Sequence, residues 1–380
     1  TFVLDKSASE DLTRVKSPWR TGSSKWDEEL EAKAVAWLCE KTNKSILNLT
    51  ESDYNENNLS ELLMEKSYYD LNLDFYKRIH RSITGWPGGK PDSDDKVRPE
   101  RSKPAKKRVL ILSPHPDDDV ISMGGTFDRL VSQGHEVHVA YQTSGNIAVS
   151  NSDVLRYLEV INSTFPDCEC ENDELIEMLK NSSDIINNSR IREIAATIRE
   201  KESLAATRFI GIPDNQVHFL KLPFYETGTI KKNIPTVEDK KIISETIKKI
   251  KPHQIYAAGD LADPHGTHKV CLDILFDSLK DLKSKTFMND CWVWLYRGAW
   301  HEWPIHEIDM AVPMSPFQVL RKRKAIFYHQ TQKDNVMFQG DDNREFWVRT
   351  EDRNRAIAKK FRNIGMSDYT AIETFKRYHF

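Results

Sequence analysis

Two clusters of histidine and aspartate residues could carry chemistry in this 380-residue sequence. The first cluster is His115-Pro116-Asp117-Asp118-Asp119, and the second is the histidine pair His265 and His268. Imidazole nitrogens and carboxylate oxygens are ligands of catalytic zinc, which takes three protein ligands and leaves one position for water. Neighbouring carboxylates also repel one another unless a cation offsets their charge. The first cluster therefore favours a metal site, whereas Asp119 alone is typical of the acidic first turn of a helix.

The elements around the clusters indicate how they could meet. Apolar and β-branched runs typical of buried strands occupy 108–112, 136–141, 216–220, 254–258 and 291–296. Helical periodicity separates these runs, and this alternation predicts a Rossmann-like α/β fold. We expect a mostly parallel sheet with helices on both faces, preceded by a small helical N-terminal segment. His115 follows the first run and His265 the fourth, so both clusters would lie at the carboxyl edge, where ligands bind.

A parallel sheet would bring His115 and Asp118 close to one or both of the later histidines. Two imidazoles and one carboxylate complete a zinc site, in which the metal lowers the pKa of a bound water. Asp117 is then a spare carboxylate that can accept the water proton, and the histidine that is not a ligand can donate to developing negative charge. The spacing leaves open which of His265 and His268 takes which role.

Composition narrows the class of protein. Hydrophobic residues make up 39% and charged residues 30% of the sequence, which is ordinary for a globular protein. The net charge of −3 gives no reason to expect a nucleic acid or an anionic membrane as partner. No apolar run approaches the ~18 residues of a membrane span. The five cysteines are odd in number and scattered, which favours a reducing compartment, and we expect a cytoplasmic protein.

Residues 1–107 differ from the rest and are predicted to form a helical connecting segment and linker. Helical periodicity includes Leu30, Ala34 and Leu38, and it returns near 59–82. A stretch rich in proline, glycine and charge then extends to Lys107 and is typical of a linker. We expect this segment to dock weakly on a main domain of residues 108–380.

Four motifs resemble those of the LmbE/PIG-L family of zinc-dependent N-acetylglucosaminyl deacetylases. The stretch Ser113-Pro114-His115-Pro116-Asp117-Asp118-Asp119 resembles the family's His-Pro-Asp-Asp-Glu signature. Residues 199–206, with Gly211, resemble its Arg-x-x-Glu helix and the glycine that ends it. His265-Gly266-Thr267-His268 resembles its later His-x-x-His, and residues 324–332 resemble a late helix with a Lys…His…Gln pattern. The resemblance covers residues 108–335 or so.

The resemblance implies a role for each residue of the two clusters. His115, Asp118 and His268 would bind one zinc ion, and Asp117 would be the general base. His265 would polarise the amide or protonate the leaving amine. The activity implied is removal of an N-acetyl group by a zinc-activated water.

Two further positions would bind substrate according to the resemblance, and two positions depart from it. Arg199 matches the family's substrate-binding arginine, and Glu226 corresponds by spacing to an acidic residue that holds sugar hydroxyls. The glutamate that closes the family's first motif is Asp119 here, so we expect its shorter arm to alter the support of the ligands. Asp263 stands where some members of the family have an aromatic residue.

A second resemblance lies near the start of the chain. The stretch 12–19 is similar to the tail of glucosamine-6-phosphate deaminase. The whole N-terminal segment resembles the linker of bacterial proteins in which that deaminase precedes an LmbE-type domain. This resemblance implies a deaminase domain as a partner in one longer chain. It also implies a small-molecule amino-sugar substrate of the N-acetylglucosamine type, with or without a 6-phosphate.

Three other functions fit parts of the same pattern. Two histidines and one carboxylate also form the facial triad of non-haem iron oxygenases, although that triad is commonly housed in an all-β barrel. A metal-dependent phosphoesterase could use the same activated water, because such a water attacks phosphorus as readily as carbon. A domain that kept the fold without activity could be a scaffold for a deaminase half. The identity of the bound metal separates these alternatives best.

Overall fold

An open α/β sheet forms the centre of the computed structural model, which describes residues 26–93, 103–165, 169–181, 188–227, 231–262, 266–298, 300–333 and 342–380. The described strands are β1 (Arg108–Ser113), β2 (Glu136–Tyr141), β3 (Val217–Phe219), β4 (Gln254–Ala258), β5 (Trp292–Tyr296), β6 (Met310–Met314) and β7 (Ala371–Tyr378). The described helices are α1 (Glu28–Thr42), α2 (Glu51–Glu56), α3 (Leu62–Glu65), α4 (Tyr68–Ser82), α5 (Asp118–Ser132), α6 (Asn151–Thr164), α7 (Glu169–Asn181), α8 (Ser189–Ile210), α9 (Val237–Ile250), α10 (Thr267–Leu282), α11 (Pro316–Phe327) and α12 (Phe346–Asn363). The predicted fold class is confirmed.

Helices cover both faces of the sheet because alternate strand residues point to opposite sides. Leu110 and Leu112 of β1 belong to a buried cluster that also contains apolar side chains of α9 and α10. Val109 and Ile111 belong to a second cluster, which they share with α5 and α11. Among the described helices, none is both long and apolar enough to cross a bilayer.

The strand order β3-β2-β1-β4-β5-β7-β6 places the site residues. Strands β1 to β5 are parallel, and the chain passes from β1 to β2 and β3 on one side before it returns to β4 and β5 on the other. The carboxyl ends of the neighbouring strands β1 and β4 therefore form a topological switch point, where open α/β sheets bind ligands. His115 follows β1, and His268 lies in the first turn of α10, which follows β4. The fold brings both histidines to one crevice.

The far edge of the sheet differs from the sequence prediction. Strands β6 and β7 were not among the predicted strands, and β7 runs antiparallel to both β5 and β6. Pro313 lies within β6, where it is tolerated because β6 is an edge strand. The predicted late helix over 324–332 is also partly wrong. Helix α11 ends at Phe327, and a turn follows it.

The N-terminal helices share the core of the main sheet. Leu38 of α1 and Ile79 of α4 are fully buried, in the same cluster as Leu110 and Ile255 of the central strands. Burial of this kind stabilises the whole unit rather than one segment of it.

Hydrogen bonds join the same two parts of the chain. The side-chain amide of Gln254, a buried residue of β4, donates to the Pro87 carbonyl at 3.0 Å. The backbone N–H of Thr84 donates to the Ala311 carbonyl at 2.8 Å. The expected weak docking is therefore not what the described residues show. The division of the chain at residue 107 stays a prediction, and the stretches 12–19 and 94–102 lie outside the described residues.

A substitution in α4 tests whether the chain unfolds as one unit. We expect Ile79→Ala to lower the free energy of unfolding by about 2–5 kcal/mol, the usual cost of truncating a fully buried aliphatic side chain. The unfolding curve in urea should keep a single transition. Met64→Ala is the matched control, because Met64 is 85% exposed and its truncation should change the free energy by less than about 0.5 kcal/mol. A separate early transition in Ile79→Ala, with the main transition unmoved, would show that the N-terminal helices fold alone.

Candidate metal centre

A tight turn after β1 presents the first cluster. The Ser113 hydroxyl donates to the His115 carbonyl at 2.6 Å and accepts the backbone N–H of Asp119 at 3.1 Å. These two bonds fix the turn from both of its ends. Asp118 begins α5, and its Oδ2 accepts the backbone N–H of His115 at 2.9 Å. The turn therefore holds the backbone of the cluster before any metal binds.

The three predicted ligands meet at the switch point. The Oδ2 atom of Asp118 lies 3.1 Å from His115 Nδ1 and 3.1 Å from His268 Nε2. One donor atom from each residue lies within 4.8 Å of the other two. Two imidazole nitrogens and one carboxylate oxygen at such distances fit a divalent metal ion with bonds of about 2.0–2.2 Å. Asp118 and His268 are buried, and His115 is half-buried, so the cluster opens toward solvent on the His115 side.

The Asp118 carboxylate stays ionised in this position. Burial by itself raises its pKa, but the charge of His268 and the hydrogen bonds from both imidazoles outweigh burial and hold the pKa well below its usual range. An ionised carboxylate between two imidazoles is the form that a metal requires.

His268 is oriented by a residue that the sequence analysis did not single out. The Nδ1–H of His268 donates to the backbone carbonyl of Asp260 at 2.8 Å, which orients the ring with Nε2 directed at Asp118. The Asp260 carboxylate accepts the backbone N–H groups of Trp300 and His301 at 2.6 and 2.8 Å. An aspartate directly after a buried strand was the available signal, but the sequence did not show what it would contact.

Asp117 lies beside the ligand cluster and is paired with Arg199. The Arg199 Nη2 atom is 3.2 Å from Asp117 Oδ1, and it donates to the Pro116 carbonyl at 2.7 Å. Both side chains are buried. Burial raises the pKa of Asp117, the Arg199 charge opposes that rise, and Asp118 and Asp119 add to it, so the pKa stays above its usual range. Arg199 contacts the candidate base here, and direct contact of Arg199 with a substrate stays a prediction.

Asp119 turns away from the ligands. Its Oδ2 accepts the Tyr141 hydroxyl at 2.9 Å, and burial raises its pKa to about 7. In the described part of the chain its Oδ1 has no hydrogen-bond partner. The shorter arm, compared with glutamate, thus supports the β2 side chain Tyr141 rather than a ligand candidate.

Glu226 lies at the neighbouring strand end, after β3. Its two carboxylate oxygens accept the backbone N–H and the hydroxyl of Ser144, at 2.9 and 3.0 Å. Ser144 belongs to the turn that follows β2, so this pair joins two loops at the carboxyl edge. Burial raises the pKa of Glu226 above its usual range. Its role in holding sugar hydroxyls stays a prediction.

One histidine of the second cluster and an aspartate close to it, His265 and Asp263, lie outside the described residues. The role of His265 as a proton donor, and the consequence of Asp263 for the site, therefore remain predictions from the sequence.

A kink in α5 separates its first turn, which carries Asp118, from the rest of the helix. Met123 has non-helical dihedral angles (φ −135°, ψ 24°), and the backbone N–H of Gly125 beyond it donates to Glu373 of β7 at 3.0 Å. A Cβ atom at Gly125 would lie 2.2 Å from the sulfur of Met314, so a larger residue there would require the Met314 side chain to move. The buried ammonium group of Lys322 pairs with Glu373 at 2.8 Å. The far edge of the sheet thus supports the helix that carries Asp118.

The chain is similar to proteins that are already known. A curated protein of Bacteroides thetaiotaomicron, named as glucosamine-6-phosphate deaminase-like, is 48% identical over 389 residues, which include 99% of this chain. The chain spans 58% of the length of that relative.

Two solved structures are remotely similar to this chain. One is the N,N′-diacetylchitobiose deacetylase of Pyrococcus horikoshii, with 20% identity, a TM-score of 0.47, and coverage of 75% of this chain and 87% of that one. The other is the 4-carboxy-2-hydroxymuconate hydratase GalB of Pseudomonas putida KT2440, with 14% identity, a TM-score of 0.46, and coverage of 72% and 96%.

One family model matches the segment that holds the ligand candidates. It is PIG-L, described as GlcNAc-PI de-N-acetylase, and it matches residues 110–278. His115, Asp118 and His268 all lie inside those bounds. Residues 110–278 of this chain are therefore similar to the PIG-L family.

Proposed function

We propose that this protein is a metal-dependent hydrolase that removes the N-acetyl group from a substrate of the N-acetylglucosamine type. The observation that carries the proposal is one buried turn that presents both a metal ligand, Asp118, and a spare carboxylate, Asp117, next to His268 from another strand end. The PIG-L match over residues 110–278 supports the reaction class.

The residues present fit zinc as the metal. His115, Asp118 and His268 would hold it, and a water molecule and a substrate would approach it from the half-buried His115 side. When bound, zinc supplies an electrophile for the amide carbonyl and lowers the pKa of a water molecule to near neutrality. A purely structural scaffold would gain little stability from burying a carboxylate between two imidazoles, because the desolvation of buried charges offsets much of their attraction.

Asp117 would act as the general base. Its carboxylate takes a proton from the attacking water, and the Arg199 guanidinium at 3.2 Å holds the carboxylate in place and favours its ionised form. We assign the proton for the departing amine to His265, on the strength of the sequence pattern alone. The C–N bond then breaks to give acetate and a free amine.

The substrate assignment depends on two supports. Glu226, held by Ser144 at the carboxyl edge, would accept hydrogen bonds from sugar hydroxyls. The relative that this chain resembles is named for glucosamine-6-phosphate deaminase, which also belongs to amino-sugar chemistry. We propose that a deaminase domain accompanies this one in a longer chain and that the N-acetylglucosamine unit can carry a 6-phosphate.

Metal content after removal of single ligands tests the site. We expect His115→Ala and His268→Ala each to weaken zinc binding by more than the roughly 10–100-fold that loss of a supporting hydrogen bond costs. His301→Ala is the control, because His301 is an exposed histidine close to the site but outside the ligand set. Dialysis against zinc followed by elemental analysis gives the stoichiometry. Iron in place of zinc in the native protein would favour an oxygenase, and zinc retained in both ligand variants would overturn the site.

The turnover rate of Asp117→Asn distinguishes a role of Asp117 as the general base from a role as a metal ligand. We expect this variant to keep its metal and to lose about 10²–10⁴ in kcat, the usual contribution of a general base. Acetate release from N-acetylglucosamine and its 6-phosphate is the assay. The exposed surface substitution Asp277→Asn should leave kcat unchanged. Near-normal kcat in Asp117→Asn would exclude Asp117 as the base.

A third substitution tests substrate binding. Glu226→Gln should raise KM roughly 10-fold and leave kcat nearly unchanged, because a charged hydrogen bond to the sugar is lost in both the ground state and the transition state. Glu193→Gln, at an exposed position of α8, is the matched control. A fall in kcat with KM unchanged would instead place Glu226 in the chemical step.

A further inference from the structure

One buried histidine outside the ligand cluster, His329, makes no contact in the described part of the chain that explains why a polar side chain is buried there. His329 is fully buried, and within the described residues neither ring nitrogen has a hydrogen-bond partner. Buried polar groups are nearly always hydrogen-bonded to protein or to ordered water, because leaving them unsatisfied costs free energy. An apolar side chain would fill the same space without that cost.

Hydrogen bonds hold the segment that carries His329 in place on its C-terminal side. The backbone N–H and the hydroxyl of Thr331 both donate to Glu202 of α8, each at 2.8 Å. The side-chain amide of Gln332 donates to the Ala148 carbonyl at 2.8 Å. These bonds keep the imidazole inside the protein.

Glu202 lies one helical turn beyond Arg199, so both residues share one face of α8. Arg199 has its own unsatisfied group on that face: its Nε has no hydrogen-bond partner in the described part of the chain, although Nη2 bonds to Pro116. The guanidinium is also confined on another side, since a Cβ atom at Gly145 would lie 3.4 Å from its Cζ. Arg199 Nε and the His329 imidazole are thus two buried polar groups without hydrogen bonds among the described residues, in segments that Glu202 joins.

His329 lies two residues before Thr331, and the bonds from Thr331 to Glu202 bring this segment against the face of α8 that carries Arg199. Burial first, and then the Arg199 charge, lowers the pKa of His329 to about 3. A neutral imidazole offers one acceptor nitrogen, and the Arg199 Nε–H is a donor. No direct hydrogen bond joins them among the described residues. A buried water with two or more polar partners is the usual link between such groups.

We propose that His329 is a positioning residue for the candidate base, acting through a buried water that joins its imidazole to Arg199 Nε. The water fixes the guanidinium, and the guanidinium fixes the Asp117 carboxylate. The role in turnover rests on the proposed function, whereas the water link does not.

A high-resolution crystal structure tests the link without any assay. We expect an ordered water within about 2.7–3.2 Å of both a ring nitrogen of His329 and Nε of Arg199. In crystals of His329→Leu we expect this water to be absent and the Arg199 side chain to shift or to show higher displacement factors. Density without a bridging water in the parent protein, or an unchanged Arg199 in His329→Leu, would overturn the proposal.

Kinetics then test the consequence. His329→Leu should lower kcat by roughly 10–100-fold at nearly constant KM and constant metal content. His329→Asn keeps a polar atom in place and should restore part of kcat, which a purely space-filling role would not allow. Tyr328→Phe, at the exposed neighbouring position, should behave like the parent protein, and melting temperatures should confirm that all variants are folded. Equal losses in His329→Leu and His329→Asn would overturn the positioning role. If the parent protein shows no deacetylation, the proposed function fails, and the crystallographic result still decides the water link.

Discussion

The structure depends above all on the burial of consecutive carboxylates at one turn. Asp117, Asp118 and Asp119 are each less than a tenth exposed, and three charges so close in a medium of low polarity would repel one another strongly. The fold separates their environments instead. Arg199 faces Asp117, two imidazoles face Asp118, and the Tyr141 hydroxyl faces Asp119. Different partners give neighbouring acids different protonation behaviour, which is how one site can hold both a ligand and a base.

Support for that turn comes from the opposite edge of the sheet. Glu373 of β7 accepts the N–H groups of Gly125 and Thr126 at the kink of α5, and Lys322 of α11 neutralises it. Removing one partner of such a buried pair typically costs about 3–5 kcal/mol, because the other charge is left uncompensated. The strands that complete the sheet thus also determine where the first turn of α5 points.

The sequence was sufficient to predict those strands and helices whose residue pattern is local. Strands β1 to β5 are short apolar runs between periodic helices, and the two clusters follow the first and fourth of them, so their meeting at one edge could be predicted. Strand β6 contains Pro313, which argues against a strand unless its edge position is known. The helix with Ile79 was recognised from its period, but period does not reveal the partner, and that partner is the main core.

Contacts between residues that are distant in the chain could not be predicted from the sequence for the same reason. Arg199 was expected to contact substrate, and its contact with Asp117 joins residues far apart in the chain. The backbone carbonyl of Asp260, which orients His268, has no signature in sequence because every residue carries one. The sequence shows which chemical groups are present. Only the fold shows which of these groups contact one another.

Metal binding should therefore be coupled to the stability of the whole sheet. The candidate ligands follow β1 and β4, which are neighbours in the sheet and lie on the two sides of its switch point. A cation held by both loops binds the folded chain and not the unfolded one, so it stabilises folding in proportion to the logarithm of its concentration above the dissociation constant. Since the N-terminal helices pack into the core on which β1 and β4 depend, that stabilisation extends to them as well. A metal site formed by these residues would be energetically one unit with the scaffold, although the candidate ligands occupy only two turns.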